Sequence, residues 1–224
     1  MFNLKVILSV SIIIATTSPA MAFNNSLHKQ DSKQNVIYIS NNDKLDDNAK
    51  RFISEIADKG IGIIDNAKIS DEARKKQFRD LLRKNFDMKT IARFALGRYW
   101  RTTPKAEQKE YLKLFENMIV DVYSKRFGEY SGLKLEVVDA RETGKSDAIV
   151  SSVIIPKSGQ KIDVDWRVRK KKNGDLKVID VMIEGVSMSL TQRSDFASVI
   201  QRGGGKTEVL LAYLRPKNKD NGKN

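Results

Sequence analysis

Paired carboxylates are the first residues of this sequence whose type and spacing suggest chemistry. Asp163 and Asp165 are two residues apart in a strand-like segment, so they project from one face, near enough for a general acid and base. They alternate with lysine and arginine on the face opposite Trp166, which favours a solvated surface. Asp180 and Glu184 interrupt an apolar strand, where we predict hydrogen bonds that fix the strand-to-turn geometry. These carboxylates therefore predict no catalytic site.

Histidine, cysteine and phosphate-loop patterns also argue against an enzyme. The chain has no cysteine and a single histidine, His28, in the polar stretch 24–35, which we predict to be a solvated tail. Thiol nucleophiles and thiolate zinc sites are thereby excluded, and a serine triad or a histidine metal site is disfavoured. Residues 203–207 read Gly-Gly-Gly-Lys-Thr, but a phosphate-binding loop needs a glycine where Ile200 stands. We expect a break between two helices there, and no cofactor or metal.

The first residues predict export from the cytoplasm. A basic segment, 1–5, precedes an apolar run, 6–14, and small residues at 20–22 predict cleavage after Ala22. A membrane anchor is the alternative, but the apolar run is about half of the roughly 20 residues that a spanning helix needs, and Pro19 breaks it. We predict a signal peptide at 1–22 and a mature chain in the bacterial periplasm. Without cysteine, that chain depends on its core for stability.

The charge of the chain predicts an anionic partner. Lysine and arginine number 41 against 28 aspartates and glutamates, a formal net charge of +13. Such a surface suits nucleic acid, anionic lipid head groups or an acidic protein, and an exported protein rarely meets nucleic acid. The densest cluster, 167–172, ends a strand before Asn173-Gly174. We favour a solvated hairpin loop for it, and a polyanion-binding surface remains the alternative.

Helical spacing dominates the first half of a single predicted domain, 46–215. A leader at 23–45 and a tail at 216–224 are polar or charged and are predicted to be disordered. Apolar spacing and capping residues predict helices at 46–65, 71–85 with Ser70 as N-cap, 88–96 closed by Gly97, and from Pro104 to 127. After the sheet, a helical segment is predicted to begin at Ser194 and to reach Arg215.

Period-two patterns predict four strands at 133–138, 148–155, 161–169 and 176–183. Short glycine-containing turns between them predict an antiparallel meander. In the third strand, Ile162, Val164, Trp166 and Val168 share one face. That apolar face must be covered, and the amphipathic helices are the available cover, which predicts an α+β fold. The sequence does not decide which face of the second strand points inward.

Six short motifs, in order, carry a family resemblance. They are Phe86-Asp87, Ile91-Ala92-Arg93, Leu96-Gly97-x-Tyr99-Trp100, Asp180-Val181, Glu184-Gly185-Val186-Ser187 and Arg193-Ser194-x-Phe196. Together with the signal peptide they resemble the MlaC or toluene-tolerance family of periplasmic phospholipid-binding proteins, over about 46–215. Leu176, where an aromatic residue is frequent, and Gln192, where tyrosine is frequent, depart from the family pattern.

The resemblance implies a carrier rather than an enzyme. It implies a curved four-stranded antiparallel sheet covered on one face by helices, with an apolar cavity between them for a phospholipid's acyl chains. The expected partners are an outer-membrane lipoprotein complex and an inner-membrane ABC transporter complex with an MCE-domain protein, in maintaining outer-membrane lipid asymmetry. We expect a monomer that binds no nucleic acid. An ordinary filled core, another hydrophobic cargo such as a hopanoid or sterol, and a basic polyanion-binding module remain alternatives.

Candidate lipid contacts lie where helices and sheet are expected to meet. Helical spacing and strand alternation select the lining residues. They are Phe94, Tyr99, Phe115, Ile119, Tyr123, Val164, Trp166, Val168, Val181, Ile183, Val186 and Met188. Guanidinium groups suit lipid phosphate or an acidic docking surface, so the candidate rim is Arg93, Arg98, Arg101 and Arg167.

Overall fold

A computed structural model describes residues 44–216 of the 224-residue chain. The predicted signal peptide, almost all of the predicted leader and residues 217–224 of the predicted tail lie outside this range. Within it, every helix is too short or too polar to cross a bilayer.

In the described residues, six helices precede the sheet and two follow it. The first six are α1 (Leu45–Asp65), α2 (Asp71–Asn85), α3 (Met88–Leu96), α4 (Tyr99–Thr102), α5 (Lys105–Ser124) and α6 (Phe127–Tyr130). The strands are β1 (Lys134–Thr143), β2 (Asp147–Ile155), β3 (Ile162–Lys170), β4 (Leu176–Ile183) and β5 (Val186–Ser187), before α7 (Met188–Arg202) and α8 (Thr207–Leu214). The α+β class is confirmed.

Capping residues explain several helix boundaries. The Ser70 side chain accepts a hydrogen bond from the Ala73 N–H at the start of α2, as predicted for an N-cap. Gly97 ends α3 with φ +60° and ψ −132°, a backbone conformation that strongly favours glycine. The predicted break at 203–205 is also confirmed, because it separates α7 from α8.

The sheet is an antiparallel meander in the order β1-β2-β3-β4-β5, with one strand more than predicted. The fifth strand has two residues and pairs with the end of β4 through a tight turn, in which Glu184 and Gly185 both have positive φ. The register shifts by one residue at Val138 in β1 and at Ile179 in β4. Each shift marks a bulge, which locally bends and twists a strand.

Two buried clusters form the core. Helix α1 packs on the sheet, where its Ile53 and Ile56 share a cluster with Val150, Val168 and Val178. The second cluster joins α3, α5, α7 and α8 around the rings of Tyr111, Phe115 and Phe196, of which Phe196 meets the other two edge to face. The sheet therefore has a covered inner face, and the helical cluster is a separate layer of packing.

Asp87, the N-cap of α3, forms a salt bridge and connects the helical cluster to the sheet. Phe86 forms a short parallel bridge with Val178 on β4, and the Asp87 N–H donates to the Val178 carbonyl at 2.9 Å. The Asp87 carboxylate accepts from the Thr90 N–H and from Lys171 Nζ, 2.6 Å away. Partial burial opposes ionisation of Asp87, but these hydrogen bonds outweigh it and lower its pKa. The Phe86-Asp87 motif thus joins α3 to the sheet.

Three element boundaries differ from the sequence prediction by more than one residue. Helix α7 begins at Met188 rather than Ser194, because the Ser187 side chain caps it by accepting from the Leu190 N–H. Helix α5 ends at Ser124, before the short α6, rather than at 127. Strand β1 continues to Thr143 rather than ending at 138, because the bulge breaks its alternation without ending its pairing.

Candidate functional site

The register identifies the inward face of the second strand. Ala148, Val150, Ser152 and Ile154 pair with the inward-facing residues of β3, so they lie on the same face. Ala148 and Val150 are fully buried in the cluster under α1. The sequence left this face open, because both sets of alternate residues in β2 are largely apolar.

Helix α1 covers only part of the inner face. Beyond it, three cross-strand pairs form a contiguous apolar surface that we call the inner strip: Ile154 with Ile162, Val164 with Ile183, and Trp166 with Val181. All of its members except Val164 are only partly buried. In the described chain, Ile154, Ile162 and Ile183 belong to neither buried cluster. Trp166 and Val181, by contrast, pack against the cluster under α1, so the partly buried apolar surface that joins no core consists of the three isoleucines.

One polar group is buried in the inner strip. Ser152 is 2% exposed, and its hydroxyl donates to the Val164 carbonyl at 2.9 Å. The same oxygen accepts from the Trp166 indole N–H, also at 2.9 Å. Both polar groups are thereby satisfied, as burial requires, and the indole is held in one orientation. Sequence reasoning missed Ser152, since a serine on a strand of unknown facing carries no signal.

The predicted lining residues occupy three different places. Val164, Trp166, Val181 and Ile183 lie together in the inner strip, whereas Val168 lies in the buried cluster under α1. Phe115 is buried in the helical cluster, against which Tyr99 and Ile119 pack. The remaining residues lie near helix ends and vary from half-buried to exposed: Tyr123 and Met188 are half-buried, and Phe94 and Val186 are exposed. Direct pairing brings the four strand residues into one continuous surface, which β5 extends because Val186 pairs with Ile183.

Tyr123 stands half-buried at the end of α5. Burial raises the pKa of its phenol, because the charged phenolate is poorly solvated there. The same α5 turn carries the half-buried Ile119 and Val122. This end of the helix therefore combines apolar side chains with one neutral hydroxyl.

The predicted rim arginines separate into two groups. Arg93, Arg98 and Arg101 are exposed on and beside α3 and α4, where Arg93 lies over the Trp100 ring and Arg98 over the Tyr99 ring. Arg167 lies on the outer face of the sheet, opposite Trp166, and both its Nε and one terminal nitrogen donate to Asp147. The guanidinium of Arg167 is thus already engaged by a carboxylate.

The outer face carries the carboxylates that the sequence singled out. Asp165 accepts from the Ser151 hydroxyl at 2.6 Å, and Asp163 is exposed. Asp147 is buried and binds Arg169 as well as Arg167. The hydrogen bond from Arg169, supported by that from Arg167, lowers the pKa of Asp147 despite its burial. These groups form a surface ion-pair network.

Asp180 fixes the turn from sheet to helix, as predicted. Its carboxylate accepts from the Val181 N–H, the Ser187 hydroxyl and both the N–H and hydroxyl of Ser189, at 2.6–3.2 Å. Glu184 likewise accepts from the Asp163 N–H at 2.7 Å. The predicted hydrogen-bonding roles of Asp180 and Glu184 are confirmed.

Two open clefts occur elsewhere on the described surface. One, of about 340 Å³, lies between α1 and the β3–β4 turn and is lined by residues such as Arg51, Phe52 and Lys170. The other, of about 380 Å³, lies between α1 and α2 and is lined by Ile63, Leu81 and their neighbours. None of the twelve predicted lining residues lies in either cleft. The inner strip is thus distinct from both.

Comparison of the sequence with known proteins identifies a family and a curated relative. The sequence model of the MlaC protein family matches residues 54–215. The intermembrane phospholipid transport system binding protein MlaC of Haemophilus influenzae is 25% identical over 118 residues, which cover 51% of this chain and 55% of that protein. The match thus spans about half the length of this curated relative.

Comparison of the fold gives a solved structure of similar architecture. A phospholipid-binding protein from Ralstonia solanacearum, determined in complex with a phospholipid, superposes with a TM-score of 0.64. The two chains are 23% identical, and the alignment covers 74% of this chain and 94% of the other. At this identity the likeness concerns the fold.

Proposed function

The chain belongs to the MlaC family, and we propose that it is a periplasmic carrier that holds a phospholipid by its acyl chains between the sheet and the helices. The observation that carries this proposal is the inner strip, an apolar surface on the inner side of the sheet, of which Ile154, Ile162 and Ile183 belong to neither buried cluster. The proteins it resembles bind or transport phospholipid by name.

The inner strip supplies what a lipid in water lacks. Two acyl chains with about 30 methylenes would lose roughly 20–25 kcal/mol of transfer free energy on leaving a bilayer, at ~0.8 kcal/mol each. A carrier therefore has to replace the hydrocarbon core with an apolar surface of its own. We propose that the chains lie on Val164, Trp166, Val181 and Ile183, between these strands and the half-buried end of α5 that carries Ile119 and Tyr123.

The remaining predicted contacts are assigned by position. Exposed Phe94 and Val186, with half-buried Tyr99 and Met188, would stand at the mouth of the site. Arg93, Arg98 and Arg101 would meet the lipid phosphate there, because guanidinium groups pair well with phosphate oxygens. Buried Phe115 and Val168 would support the site by packing rather than touch the lipid.

We further propose how such a carrier works in the cell. Moving a lipid between a bilayer and an apolar site exchanges similar environments, so the carrier gains little free energy and direction must come from its partners. The proposed partners are an outer-membrane lipoprotein complex and an inner-membrane ABC transporter complex with an MCE-domain protein. Export by cleavage of residues 1–22 would place the monomeric carrier between them, where it would support outer-membrane lipid asymmetry without catalysing a reaction.

Native mass spectrometry of the mature protein, purified from a periplasm without detergent, tests the proposal. We expect a stoichiometric diacyl phospholipid, identified after organic extraction. A bound hopanoid or sterol would support a carrier but would show that its cargo is not a phospholipid. A protein that stays empty after incubation with liposomes would contradict the carrier and favour a filled core with a polyanion-binding surface.

A matched pair of variants tests the location of the site. Val181→Asp places a charge in the inner strip and should abolish lipid retention, since an unpaired charge cannot share an apolar site. Ile149→Asp makes the same kind of change on the outer face, between Arg141 and Arg167, and should keep the lipid. Circular dichroism checks that both variants fold. A folded Val181→Asp protein that still retains phospholipid would disprove this location.

A further inference from the structure

Three arginines and three aromatic rings are stacked on one part of the surface. The Arg193 guanidinium lies 5.4 Å from the Phe94 ring centroid, Arg98 lies 5.0 Å from that of Tyr99, and Arg93 lies 5.3 Å from that of Trp100. The rings belong to α3 and α4, and Arg193 reaches them from the neighbouring α7. Such cation–π contacts hold guanidinium groups at defined positions.

Exposed apolar side chains occur on α3 and around the start of α7. Phe94 is 43% exposed, Leu190 is 56% exposed one helical turn before Arg193, and Val186 is 53% exposed just before the cap of α7. We call these eight residues the arginine–aromatic surface: Arg93, Phe94, Arg98, Tyr99, Trp100, Val186, Leu190 and Arg193. Half of the large hydrophobic side chains that are exposed in the described chain belong to it.

The arginines of this surface differ from most others in the described chain in that they form no ion pair there. Elsewhere, arginine and lysine side chains bind carboxylates, as Arg79 binds Glu116 and Arg215 binds Glu110. Within residues 44–216, none of Arg93, Arg98 and Arg193 forms an ion pair with a carboxylate. Their positive charge is therefore not compensated by ion pairing within the described chain.

We infer that the arginine–aromatic surface docks on the head-group region of an anionic phospholipid bilayer. Unpaired guanidinium groups complement lipid phosphates, and single protruding Phe, Leu and Val side chains suit the boundary between head groups and acyl chains. A bilayer adapts to such protrusions, whereas a protein hot spot requires matching pockets. The formal net charge of +13 draws the chain toward the same anionic surface.

This inference rests on the proposed function and adds a step to it. Val186 and Phe94 belong both to the docking surface and to the proposed mouth of the lipid site. Docking would therefore bring the mouth to the bilayer, so that a lipid could pass along the surface without crossing water. The partner complexes would then act on a carrier that is already concentrated at the membrane.

Vesicle co-sedimentation of the mature protein tests the inference. We expect binding to phosphatidylcholine vesicles that contain phosphatidylglycerol, little binding to phosphatidylcholine alone, and release by added salt. Arg193→Gln should weaken binding to the anionic vesicles about fivefold, since each arginine near a charged bilayer contributes about 1 kcal/mol. Leu190→Ser should weaken it several-fold by removing an inserted apolar group.

Matched controls separate a defined surface from general attraction. Lys145→Gln removes one charge in the exposed β1–β2 turn, and Val138→Ser removes an apolar side chain that is 59% exposed in β1. Both controls should bind vesicles like the wild type. An equal loss in controls and surface variants would overturn the inference, as would a wild type that ignores anionic vesicles or is captured instead by an acidic protein.

Lipid retention measured on the same samples distinguishes the two proposals. A wild-type protein that contains phospholipid but does not sediment with anionic vesicles would disprove bilayer docking and leave the carrier proposal standing. A protein without lipid would disprove the carrier proposal. Leu190→Ser should retain phospholipid like the wild type, because Leu190 lies outside the proposed site.

Discussion

Replacing Asp180 with alanine should remove the side-chain hydrogen bonds that hold the start of α7 against the end of β4. The Asp180 carboxylate accepts from the Ser187 hydroxyl at 2.6 Å, from the Ser189 hydroxyl at 2.7 Å and from the Ser189 N–H at 3.2 Å. It also accepts from the Val181 N–H at 2.9 Å. Alanine removes all four acceptor contacts in one step, so the start of α7 loses its connection to β4.

The size of the effect follows from the burial of the donors. Ser189 is 6% exposed, so its N–H and hydroxyl cannot turn to water without rearrangement. A buried donor left without an acceptor costs about 1–3 kcal/mol. Two such donors give an expected loss of roughly 2–6 kcal/mol in the free energy of unfolding for Asp180→Ala. Asp180→Asn keeps one oxygen acceptor and should lose about 1 kcal/mol.

Urea unfolding followed by circular dichroism measures both losses. Asp163→Ala is the control, because Asp163 is an exposed carboxylate on the same sheet face, and it should change stability by no more than about 0.5 kcal/mol. The reasoning would be refuted by an Asp180→Ala loss below about 1 kcal/mol, or by equal losses for alanine and asparagine.

Three further changes test other parts of the structure. Asp147→Asn should lower the free energy of unfolding by about 1–3 kcal/mol at pH 7. The hydrogen bond from Arg169 lowers the pKa of Asp147, so the wild type should lose this stabilisation as the pH falls below about 4, while the variant should not. Gly97→Ala should destabilise the protein by about 1–3 kcal/mol, because φ is +60° and a Cβ would lie 2.8 Å from the Arg193 side chain. Gly62→Ala should instead stabilise α1 by about 0.5–1 kcal/mol. Ser152→Ala should remove the acceptor of the Trp166 indole, cost about 1 kcal/mol and change the tryptophan emission.

Each of these expectations has an outcome that contradicts it. The Asp147 prediction would be contradicted if, in urea unfolding at pH 7 and pH 3, the wild type and Asp147→Asn lost the same amount of stability at the lower pH. The glycine predictions would be contradicted if Gly97→Ala and Gly62→Ala shifted the midpoint of thermal unfolding in the same direction. An unchanged emission spectrum for Ser152→Ala would show that the indole does not depend on the serine hydroxyl.

The sequence predicted most of the fold because its signals are local. The alternation of Ile162, Val164, Trp166 and Val168 gave the inward face of β3 correctly, and the Ser70 and Gly97 caps gave helix ends. Strand β4 was predicted with its observed bounds. Residue alternation and capping depend on neighbours along the chain, so a single sequence displays them.

The parts that were missed depend on distant partners. The start of α7 was placed six residues too late, because Ser187 and Ser189 are held by Asp180 from another element. The far half of β1 was missed because the bulge at Val138 interrupts its alternation. The lining set combined residues on the inner strip with others, such as Phe115, that pack into the separate helical cluster. Helical spacing marks an apolar face without saying what that face packs against.

The shape of β1 has a consequence for the behaviour of the molecule among its own copies. This strand has a neighbour on one side only, so its other side offers backbone N–H and carbonyl groups to any second sheet. The bulge at Val138 breaks that row, and exposed charges at Lys134, Glu136 and Arg141 make strand-by-strand stacking unfavourable. A protein with this edge resists joining copies of itself into fibres.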